Sequence, residues 1–340
     1  MKILFVTTRR DRPSFRFRVV SVLPFFESSG HSCHTALLPR NLLNRFRFYR
    51  QLKNYDVVLF QQRLLSGVEL AQVRRHAATL VYDVDDAVMF ASGGNLDRRR
   101  RKRFDAMSHA ADLVICGNEY LFDEAQRLSK RAVVIPTCVD TNLFHPCLRQ
   151  SASPHAEAQR LTVGWTGSTS TNGYLNDLFP VLAALKRNVG VKVISDSTDG
   201  LELDRLGNVP FQFVRWSPER EAAETATFDI GVMPLPDNRW TRGKCGCKVL
   251  QYMALGIPAV CNPVGVNREI VQHGRSGCFA DSPESWLRVL RELLDNQEER
   301  ESLGRAGRER AEQAYSLTLG GPRMVAEIET VAYHLSKSAA

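Results

Sequence analysis

The sequence predicts an α/β protein with two doubly wound domains, each built on a parallel sheet. Short runs rich in β-branched residues alternate with segments of helical periodicity along the 340 residues. The strand-like runs are apolar throughout rather than alternating, as expected for strands that helices cover on both faces. The pattern stops in a polar stretch and then starts again, which indicates two such domains.

The first domain is expected over residues 1–150. Its strand-like runs are KILFVT (2–7), VVLFQ (57–61), TLVYDVD (79–85), DLVICG (112–117) and AVVIPT (132–137). Between them, ELAQVRRHA (69–77) and YLFDEAQRL (120–128) have apolar residues at helical spacing. The arginine-rich run 98–103 is expected on an exposed helix face, with docking to a membrane or another polyanion as the alternative.

The second domain is expected over residues 151–320, after the polar linker 148–160. Its strand-like runs are LTVGWTG (161–167), VKVISD (191–196), FQFVRW (211–216), IGVMPL (230–235) and PAVCN (258–262). Residues 321–340 are expected to form a C-terminal helix that packs back toward the first domain. Because parallel sheets bind ligands at the carboxyl ends of their strands, the functional residues should follow strands and line a cleft between the domains.

The charge of the chain is distributed unevenly. The formal net charge is +8, but residues 1–150 hold 24 Lys and Arg against 14 Asp and Glu, whereas residues 151–340 hold 21 against 23. This basic first half indicates an acidic partner, which could be an anionic membrane surface, a phosphorylated substrate or a nucleic acid. A nucleic acid is the least favoured, because aromatic residues do not interleave with the arginine run as they do in single-strand binders.

The cysteines and the N-terminal residues favour a cytoplasmic protein without a metal. The eight cysteines are scattered and form no Cys-x-x-Cys pair, so reduced thiols are the simplest interpretation. Cys245 and Cys247 are one residue apart with no histidine nearby, which does not favour zinc. No apolar run is long enough to cross a bilayer, and MKILFVT is typical of a strand rather than of a signal peptide.

Two loops of the second domain are candidates for binding a diphosphate. In GWTGSTSTNGYL (164–175), two glycines and a serine could bring backbone and hydroxyl groups to a phosphate, although a plain tight turn is the alternative. The segment 242–271 places cations where a helix begins and then reaches a second glycine turn. A helix N-terminus is already partly positive, so cations there indicate an expected anion. The candidates are Gly164, Gly167, Ser168, Arg242, Lys244, Gly246, Lys248, Gly265 and Val266.

Acids and arginines are the candidates in the first domain. Asp83, Asp85 and Asp86 end a strand, and the first two point to the same side if the strand continues. They could hold a divalent metal, orient an acceptor hydroxyl and assist its deprotonation, or simply cap a helix. Arg16 and Arg18, in the segment after the first strand, could bind a phosphate of either substrate or form only a basic rim.

The stretch from IGVMPL (230–235) to YSL (315–317) resembles the donor domain of GT-B glycosyltransferases of family four. The similar motifs are KVLQYMALGIPAV (248–260) and VGVNREIV (264–271), and MKILFVT, ADLVICGNEYL and VVIPTCVDTNLFHP fit its N-terminal half. The resemblance covers nearly the whole chain, and its C-terminal block is the most specific part. One departure concerns two glutamates of the family's donor loop, because Gly243 and Gln251 stand at those positions.

The resemblance implies the GT-B fold, with two Rossmann-like domains facing across a cleft, and a retaining glycosyltransferase that needs neither metal nor cofactor. The donor would be a UDP-sugar or a GDP-sugar. Lys248 matches a lysine of one branch of the family, so it is the first candidate for the diphosphate, with Lys244 and Arg242 beside it. The resemblance further assigns the ribose to Gln251, the edge of the donor site to Glu269, the nucleobase to Trp216 and the acceptor to Asp83 and Asp85.

Other functions remain open at this point. Loss of both glutamates would fit a non-catalytic relative that binds a sugar nucleotide or acts as a scaffold, and a sugar-nucleotide epimerase on the same fold is a further alternative. The basic first half would suit a phosphorylated or lipid-linked acceptor in glycan or glycoconjugate synthesis. It would also suit peripheral contact with the inner face of the membrane.

Overall fold

In the computed structural model, which describes residues 1–151 and 160–339, the chain folds into two compact units. The first unit comprises Met1–Cys138, Asn238–Cys245 and Leu317–Ala340, and the second comprises Val139–Asp237 and Gly246–Ser316. Most of the linker expected at 148–160 lies outside the described residues, so a domain boundary at residue 150 stays a prediction.

The first unit contains a six-stranded parallel sheet in the order β2-β1-β3-β4-β5-β6. Its strands are β1 (Lys2–Thr7), β2 (Ser32–Leu37), β3 (Val57–Gln61), β4 (Thr79–Val84), β5 (Leu113–Cys116) and β6 (Ala132–Val134). All but β2 lie within the predicted runs. The sequence SCHTAL of β2 lies at the sheet edge with no fully buried side chain, so it lacks the apolar run by which the others were found.

Helices cover both faces of this sheet. They are α1 (Pro13–Arg18), α2 (Leu23–Ser28), α3 (Leu42–Gln51), α4 (Gly67–His76), α5 (Arg98–Ala110) and α6 (Glu119–Gln126). Each of α3 to α6 begins after a polar cap, for example Ser66 before α4 and Asp97 before α5, which accepts backbone N–H groups of the first turn. Side chains of α1 and α2 belong to one apolar cluster, and those of α3 to α6 belong to another.

The second unit repeats this architecture with the strand order β12-β11-β10-β7-β8-β9, again all parallel. Its strands are β7 (Leu161–Thr166), β8 (Val189–Ser195), β9 (Phe211–Arg215), β10 (Ile230–Met233), β11 (Ala259–Cys261) and β12 (Cys278–Phe279). Its helices are α7 (Cys147–Ser151), α8 (Thr169–Asn172), α9 (Phe179–Ala184), α10 (Glu221–Ala226), α11 (Cys247–Ala254), α12 (Asn267–Ile270), α13 (Pro283–Asp295) and α14 (Gln297–Tyr315). The two-residue strand β12 is too short for a sequence signal and was not predicted.

Two glycines in the second sheet allow aromatic rings to lie directly on its strands. Gly164 of β7 is the register partner of Gly231 in β10. A Cβ at Gly164 would lie 2.0 Å from the ring of Phe228, and one at Gly231 would lie 2.4 Å from the ring of Tyr252 in α11. The Tyr252 hydroxyl also accepts the N–H of Thr166 at 3.1 Å, so α11 is held firmly on the sheet.

The last helix, α15 (Leu317–Ala339), packs in the first unit. Met324, Val325 and Ile328 lie in the same apolar cluster as Phe26 of α2. The helix begins four residues before the segment 321–340 expected from the sequence, and Pro322 lies inside it. Among the described residues, no helix combines the length and apolar character needed to cross a membrane.

Candidate functional site

The cationic loop that the sequence presents as one motif contributes residues to both units. Residues 238–245 pack in the first unit, and the chain passes to the second unit between Cys245 and Gly246. Arg242 and Lys244 therefore belong to the first unit, whereas Lys248 belongs to the second. The prediction grouped these cations by sequence distance, which does not show to which unit each residue packs.

In the second unit, Lys248 lies in the first turn of α11, beside the loop after β7. Gly246 caps this helix in the left-handed conformation, with φ of +67°, and a Cβ there would lie 2.2 Å from Ile270. The Lys248 ammonium lies 5.1 Å from the ring centroid of Trp165. A Cβ at Gly167 would lie 2.2 Å from the Trp165 ring and 2.9 Å from Cε of Lys248. The fold therefore brings the two predicted residues Gly167 and Lys248 together, beside the ring of Trp165.

The glycine–serine loop after β7 is shorter than predicted. Gly164 lies inside the strand, and its close approach is to Phe228, so its assignment to the post-strand loop is wrong. The N–H of Gly167 donates to the carbonyl of Ile194 at 2.9 Å and is therefore already used. Ser168 precedes α8, and its hydroxyl lies 2.9 Å from that of Ser170. The part of this loop that can approach an anion thus begins at Ser168.

An acidic side chain supports the same loop from the end of β8. The N–H of Thr169 donates to Oδ1 of Asp196 at 2.6 Å. Burial raises the pKa of Asp196, but the hydrogen bonds from Thr169 and Ser195 outweigh it, so the net pKa lies below its usual value. Asp196 is therefore ionised and holds the start of α8 in place.

The positions of the two missing glutamates have physical explanations. A Cβ at Gly243 would lie 2.5 Å from Cβ of Ala87 and 2.7 Å from its backbone nitrogen, so no larger side chain fits there. Gln251 is buried in α11, and its Nε2 donates to Oε1 of Glu221 at 2.9 Å. The structure therefore places Gln251 in a buried hydrogen bond rather than at the surface, where the predicted ribose contact would need it.

The remaining predicted donor residues lie at the carboxyl ends of β9 and β11. Trp216 directly follows β9 and packs half-buried against the core of the second unit. Gly265 has φ of +52°, and Val266 next to it is buried. Glu269 is exposed on the short helix α12, whose last carbonyl groups accept hydrogen bonds from Arg310.

In the first unit, Asp83 and Arg18 form a fully buried ion pair. The Arg18 guanidinium reaches Oδ1 of Asp83 at 2.5 Å through Nη2 and donates to the carbonyl of Ile135 at 2.6 Å through Nη1. Their side chains are only 1% and 2% exposed for Asp83 and Arg18, respectively. The predictions that Asp83 faces an acceptor and that Arg18 binds a phosphate are therefore wrong for this structure, because each residue is occupied by the other.

Arg16, the other arginine predicted to bind a phosphate, lies in α1. Its guanidinium carbon lies 4.6 Å from the ring centroid of Phe17, and its side chain is half-buried. The structure therefore places Arg16 and Arg18 in different surroundings, although they are two residues apart.

Asp85 and Asp86 share a contact with Gln62, a residue that the sequence analysis did not single out. Gln62 follows β3 with φ of +54°, an uncommon value for a non-glycine residue, and its Nε2 contacts Asp85 and lies 3.4 Å from Oδ2 of Asp86. Burial, followed by the charges of Asp86 and Asp83, raises the pKa of Asp85 to about 7. Oδ1 of Asp86 pairs with the Lys244 ammonium at 2.9 Å.

Asp86 is the most exposed of the three acids. Its side chain is 26% exposed, against 1% for Asp83. The prediction of Asp83 and Asp85 as one pair assumed that the strand continues, but β4 ends at Val84. The chain therefore turns before Asp85, and alternation no longer decides which carboxylates face outward.

Residues 238–245 fit closely into the loops of the first unit. The Cys245 thiol donates to the carbonyl of Asp85 at 3.1 Å, and Nδ2 of Asn118 donates to the carbonyl of Lys244 at 3.2 Å. Burial raises the pKa of the Cys245 thiol, so the residue acts as a buried packing group. The Lys244 ammonium also lies 4.9 Å from the ring centroid of Trp240. In the part of the chain that the structure describes, no cluster of His, Cys, Asp and Glu could hold a metal ion.

Comparison with known proteins identifies relatives in sequence. Residues 160–296 match the family described as Glycosyl transferases group 1. Two curated relatives from strains of Mycobacterium tuberculosis are GDP-mannose-dependent alpha-(1-6)-phosphatidylinositol dimannoside mannosyltransferases, 25% identical over 254 residues. The alignment covers 70% of this chain but only 65% of each relative, so the chain spans less than two thirds of their length.

Comparison with solved structures shows the fold. Sucrose-phosphate synthase from Thermosynechococcus elongatus superposes with a TM-score of 0.80 at 16% identity, covering 100% of both chains. Anabaena HepE in complex with UDP and glucose gives a TM-score of 0.73 at 15% identity, covering 97% of this chain and 100% of the other. Residues 160–296 are therefore similar to the group 1 glycosyl transferases, and the chain has the GT-B fold, with one six-stranded parallel sheet in each unit.

Proposed function

We propose that this protein is a glycosyltransferase that moves a sugar from a nucleotide diphosphate sugar to an acceptor bound by the first unit. The observation that carries this proposal is the placement of Lys248 in the first turn of α11, against Gly167 and Trp165 at the end of β7. That cation adds to the partial positive charge of a helix N-terminus, at the carboxyl ends of the strands, where such folds bind ligands. The UDP complex of HepE and the GDP-mannose dependence of the curated relatives support a UDP-sugar or a GDP-sugar donor.

The chemistry that we propose relies on position and charge. Lys248, with backbone N–H groups near Ser168 and Gly265–Val266, would stabilise the negative charge that develops on the leaving diphosphate. In a retaining reaction without a metal, the leaving diphosphate itself takes the proton of the acceptor hydroxyl. No protein base is then required at the donor site.

The other donor residues keep proposed roles that depend on their surroundings. Trp216 and Glu269 follow or flank strand ends of the second unit, where they could contact the nucleobase and the donor sugar. Gln251 could contact the ribose only by releasing Glu221. We therefore propose that the Gln251–Glu221 pair supports the donor site through its buried hydrogen bond and does not contact the donor directly. Lys244 and Arg242 keep a proposed role as phosphate-binding cations of the first unit.

For the acceptor, we propose that Asp85 and Asp86 replace the predicted pair of Asp83 and Asp85. Gln62 holds both carboxylates, and Asp86 is the more exposed of the two. A carboxylate of this kind can accept a hydrogen bond from a sugar hydroxyl and orient it for attack. The basic first half and Arg16 favour a phosphorylated or lipid-linked acceptor, with the protein in the cytoplasm and in peripheral contact with the membrane.

A second candidate function is a non-catalytic relative that binds a sugar nucleotide. It is favoured by the contact of Gly243 with Ala87, which leaves no space for the glutamate that the family usually has there. An epimerase is the third candidate and would convert the donor sugar without any acceptor. Product analysis separates the three, because only a transferase releases nucleotide diphosphate while passing the sugar to water or to an acceptor.

The experiment that tests the donor site is a thermal-shift series with UDP, GDP, ADP, CDP and TDP, each in EDTA or with Mg²⁺. A ligand at about one hundred times its dissociation constant should stabilise the protein by about 2.7 kcal/mol. We expect one nucleotide to stabilise the wild type in EDTA and to lose its effect in Lys248→Ala. Lys186→Ala, which removes an exposed lysine from the same unit, is the matched control. No shift with any nucleotide, or a shift only with Mg²⁺, would contradict the proposed metal-free site.

A further inference from the structure

Exposed apolar side chains lie at or just before the starts of three neighbouring helices of the first unit. The helices α3, α4 and α5 follow β2, β3 and β4, so each begins at the carboxyl edge of the parallel sheet. All three lie on the same face, because their buried side chains share one apolar cluster. We call the exposed residues at these starts the helix-start surface, which consists of Leu42, Leu43, Val68, Leu96, Arg98 and Arg99.

The apolar residues of the helix-start surface are unusually open to solvent. Leu43 is 73% exposed and Val68 is 67% exposed, and both lie in the first turn of a helix whose opposite side packs on the sheet. One exposed leucine needs no explanation, since much of any protein surface is apolar. Four such residues at the starts of adjacent helices, all at the carboxyl ends of the strands, do indicate a surface that binds another apolar surface.

The charge of the helix-start surface is positive and is not neutralised by the acids nearby. Within residues 1–151 and 160–339, Arg98 and Arg99 form no ion pair, whereas Arg100 pairs with Asp97. The Asp97 carboxylate also caps the start of α5. At the start of α4, the Glu69 carboxylate is likewise engaged, by Ser66 and by Arg45. The surface therefore combines free cations with exposed aliphatic side chains.

We infer that the helix-start surface docks on an anionic lipid surface. Leucine and valine at helix starts would enter the boundary between headgroups and acyl chains, while the arginines would meet lipid phosphates. A nucleic acid would use the arginines but not the aliphatic side chains, and a second copy of this chain would bring its own arginines against them. The inference deepens the membrane contact proposed above. It rests on the proposed function in one respect, because the purpose of the docking would be to reach a lipid-linked acceptor.

The test is co-sedimentation of the full chain with lipid vesicles of phosphatidylcholine alone or with about 30% phosphatidylglycerol, at low and high salt. We expect binding only to the anionic vesicles, and weaker binding as salt shortens the range of the attraction. Each arginine near an anionic surface contributes about fivefold to partitioning, so Arg98→Ala/Arg99→Ala should lose about 25-fold. Leu42→Ser/Leu43→Ser should lose at least about tenfold, because two aliphatic side chains no longer leave water.

Matched controls separate this surface from general charge and hydrophobicity. Arg50→Ala/Arg75→Ala removes two exposed arginines from the last turns of α3 and α4, at the opposite ends of the same helices. Leu143→Ser/Leu319→Ser removes two leucines that are about half exposed elsewhere. Both controls should bind anionic vesicles as the wild type does, and thermal unfolding should show that every variant remains folded.

Several results would overturn the inference. These are no binding to anionic vesicles, equal binding to neutral vesicles, or equal losses in the control variants. Binding to heparin or RNA that depends on Arg98 and Arg99, with no vesicle binding, would assign the surface to another polyanion. A dimer that Leu42→Ser/Leu43→Ser dissociates would assign it to a second copy. Nucleotide stabilisation, measured on the same samples, reports separately on the proposed function.

Discussion

Replacement of Asp83 should destabilise the first unit rather than act on chemistry. Asp83→Ala would leave the Arg18 guanidinium buried, with the carbonyl of Ile135 as the one remaining partner recorded for it among the described residues. Removal of one member of a buried ion pair costs about 3–5 kcal/mol, because the other charge is left uncompensated. The pair joins α1 to the end of β4, so the loss should loosen the sheet of the first unit.

The free energy lost when one buried charge is left unpaired can be separated from the contribution of the ion pair itself to stability. Arg18→Met/Asp83→Leu removes both charges and keeps similar volume, so it should recover most of the stability lost in Asp83→Ala. If an unpaired buried guanidinium destabilises the fold more than an unpaired buried carboxylate does, Arg18→Met should lower the free energy of unfolding by less than Asp83→Ala. With Asp83→Leu as the second single variant, Arg18→Met, Arg18→Met/Asp83→Leu and the wild type form a double-mutant cycle.

Hydrogen–deuterium exchange under native conditions is the appropriate assay, because the chain has two units and a single unfolding transition is not assured. Amides of β3, β4 and β5 should exchange faster in Asp83→Ala by the factor that corresponds to the lost stability, about 100-fold or more. Amides of β7 and β8 in the second unit serve as the internal control. Unchanged exchange in β3 to β5 together with lost sugar transfer would refute the structural role and return Asp83 to the acceptor site.

Three further predictions concern single positions. Because burial raises the pKa of Asp85 from 3.8 to about 7, its folded form binds a proton more tightly; stability should fall as pH rises from about 4 to about 7, and Asp85→Asn should flatten this dependence in denaturation at a series of pH values. Gly246→Ala should lower the melting temperature by more than Gly274→Ala, since both have positive φ but only Gly246 would also collide with a neighbour; equal shifts would contradict the packing argument. Gln251→Glu should cost about 1–3 kcal/mol at neutral pH, because it sets a second carboxylate beside Glu221, and acid should relieve the loss in thermal melts; a pH-independent change would argue against this contact.

The fold could be predicted largely because buried parallel strands have a strong sequence signal. The strands β3, β4 and β5 are buried at every residue, so each appears as an uninterrupted apolar run. The strand β2 has no such run, since its side chains are half-exposed at the edge of the sheet. Edge strands are defined by their pairing with a neighbour, which a single sequence does not display.

The site was predictable only where local geometry decides it. Lys248 and Gly167 were predicted from the local signatures of helix starts and post-strand turns, and the structure brings them together, but their role in donor binding stays a prediction. Asp83 was misassigned because its partner lies 65 residues away. Gln62 and Asn118 were missed. Gln62 belongs to no motif, and Asn118 lies within ADLVICGNEYL but was assigned no role there. Each follows a buried strand closely, so a search for polar residues after strand ends could have found both.

The most direct test of glycosyl transfer is turnover of labelled donors by the full chain in EDTA. Labelled UDP-sugars and GDP-sugars would be followed for release of nucleotide diphosphate and transfer of the sugar to water or to lipid-linked acceptors. We expect turnover of one donor, a loss of about 100-fold or more in Lys248→Ala through lost stabilisation of the leaving diphosphate, and an unchanged rate in the control Lys186→Ala. Tight nucleotide binding without turnover, or turnover that Lys248→Ala leaves intact, would contradict the proposed catalytic role of this donor site.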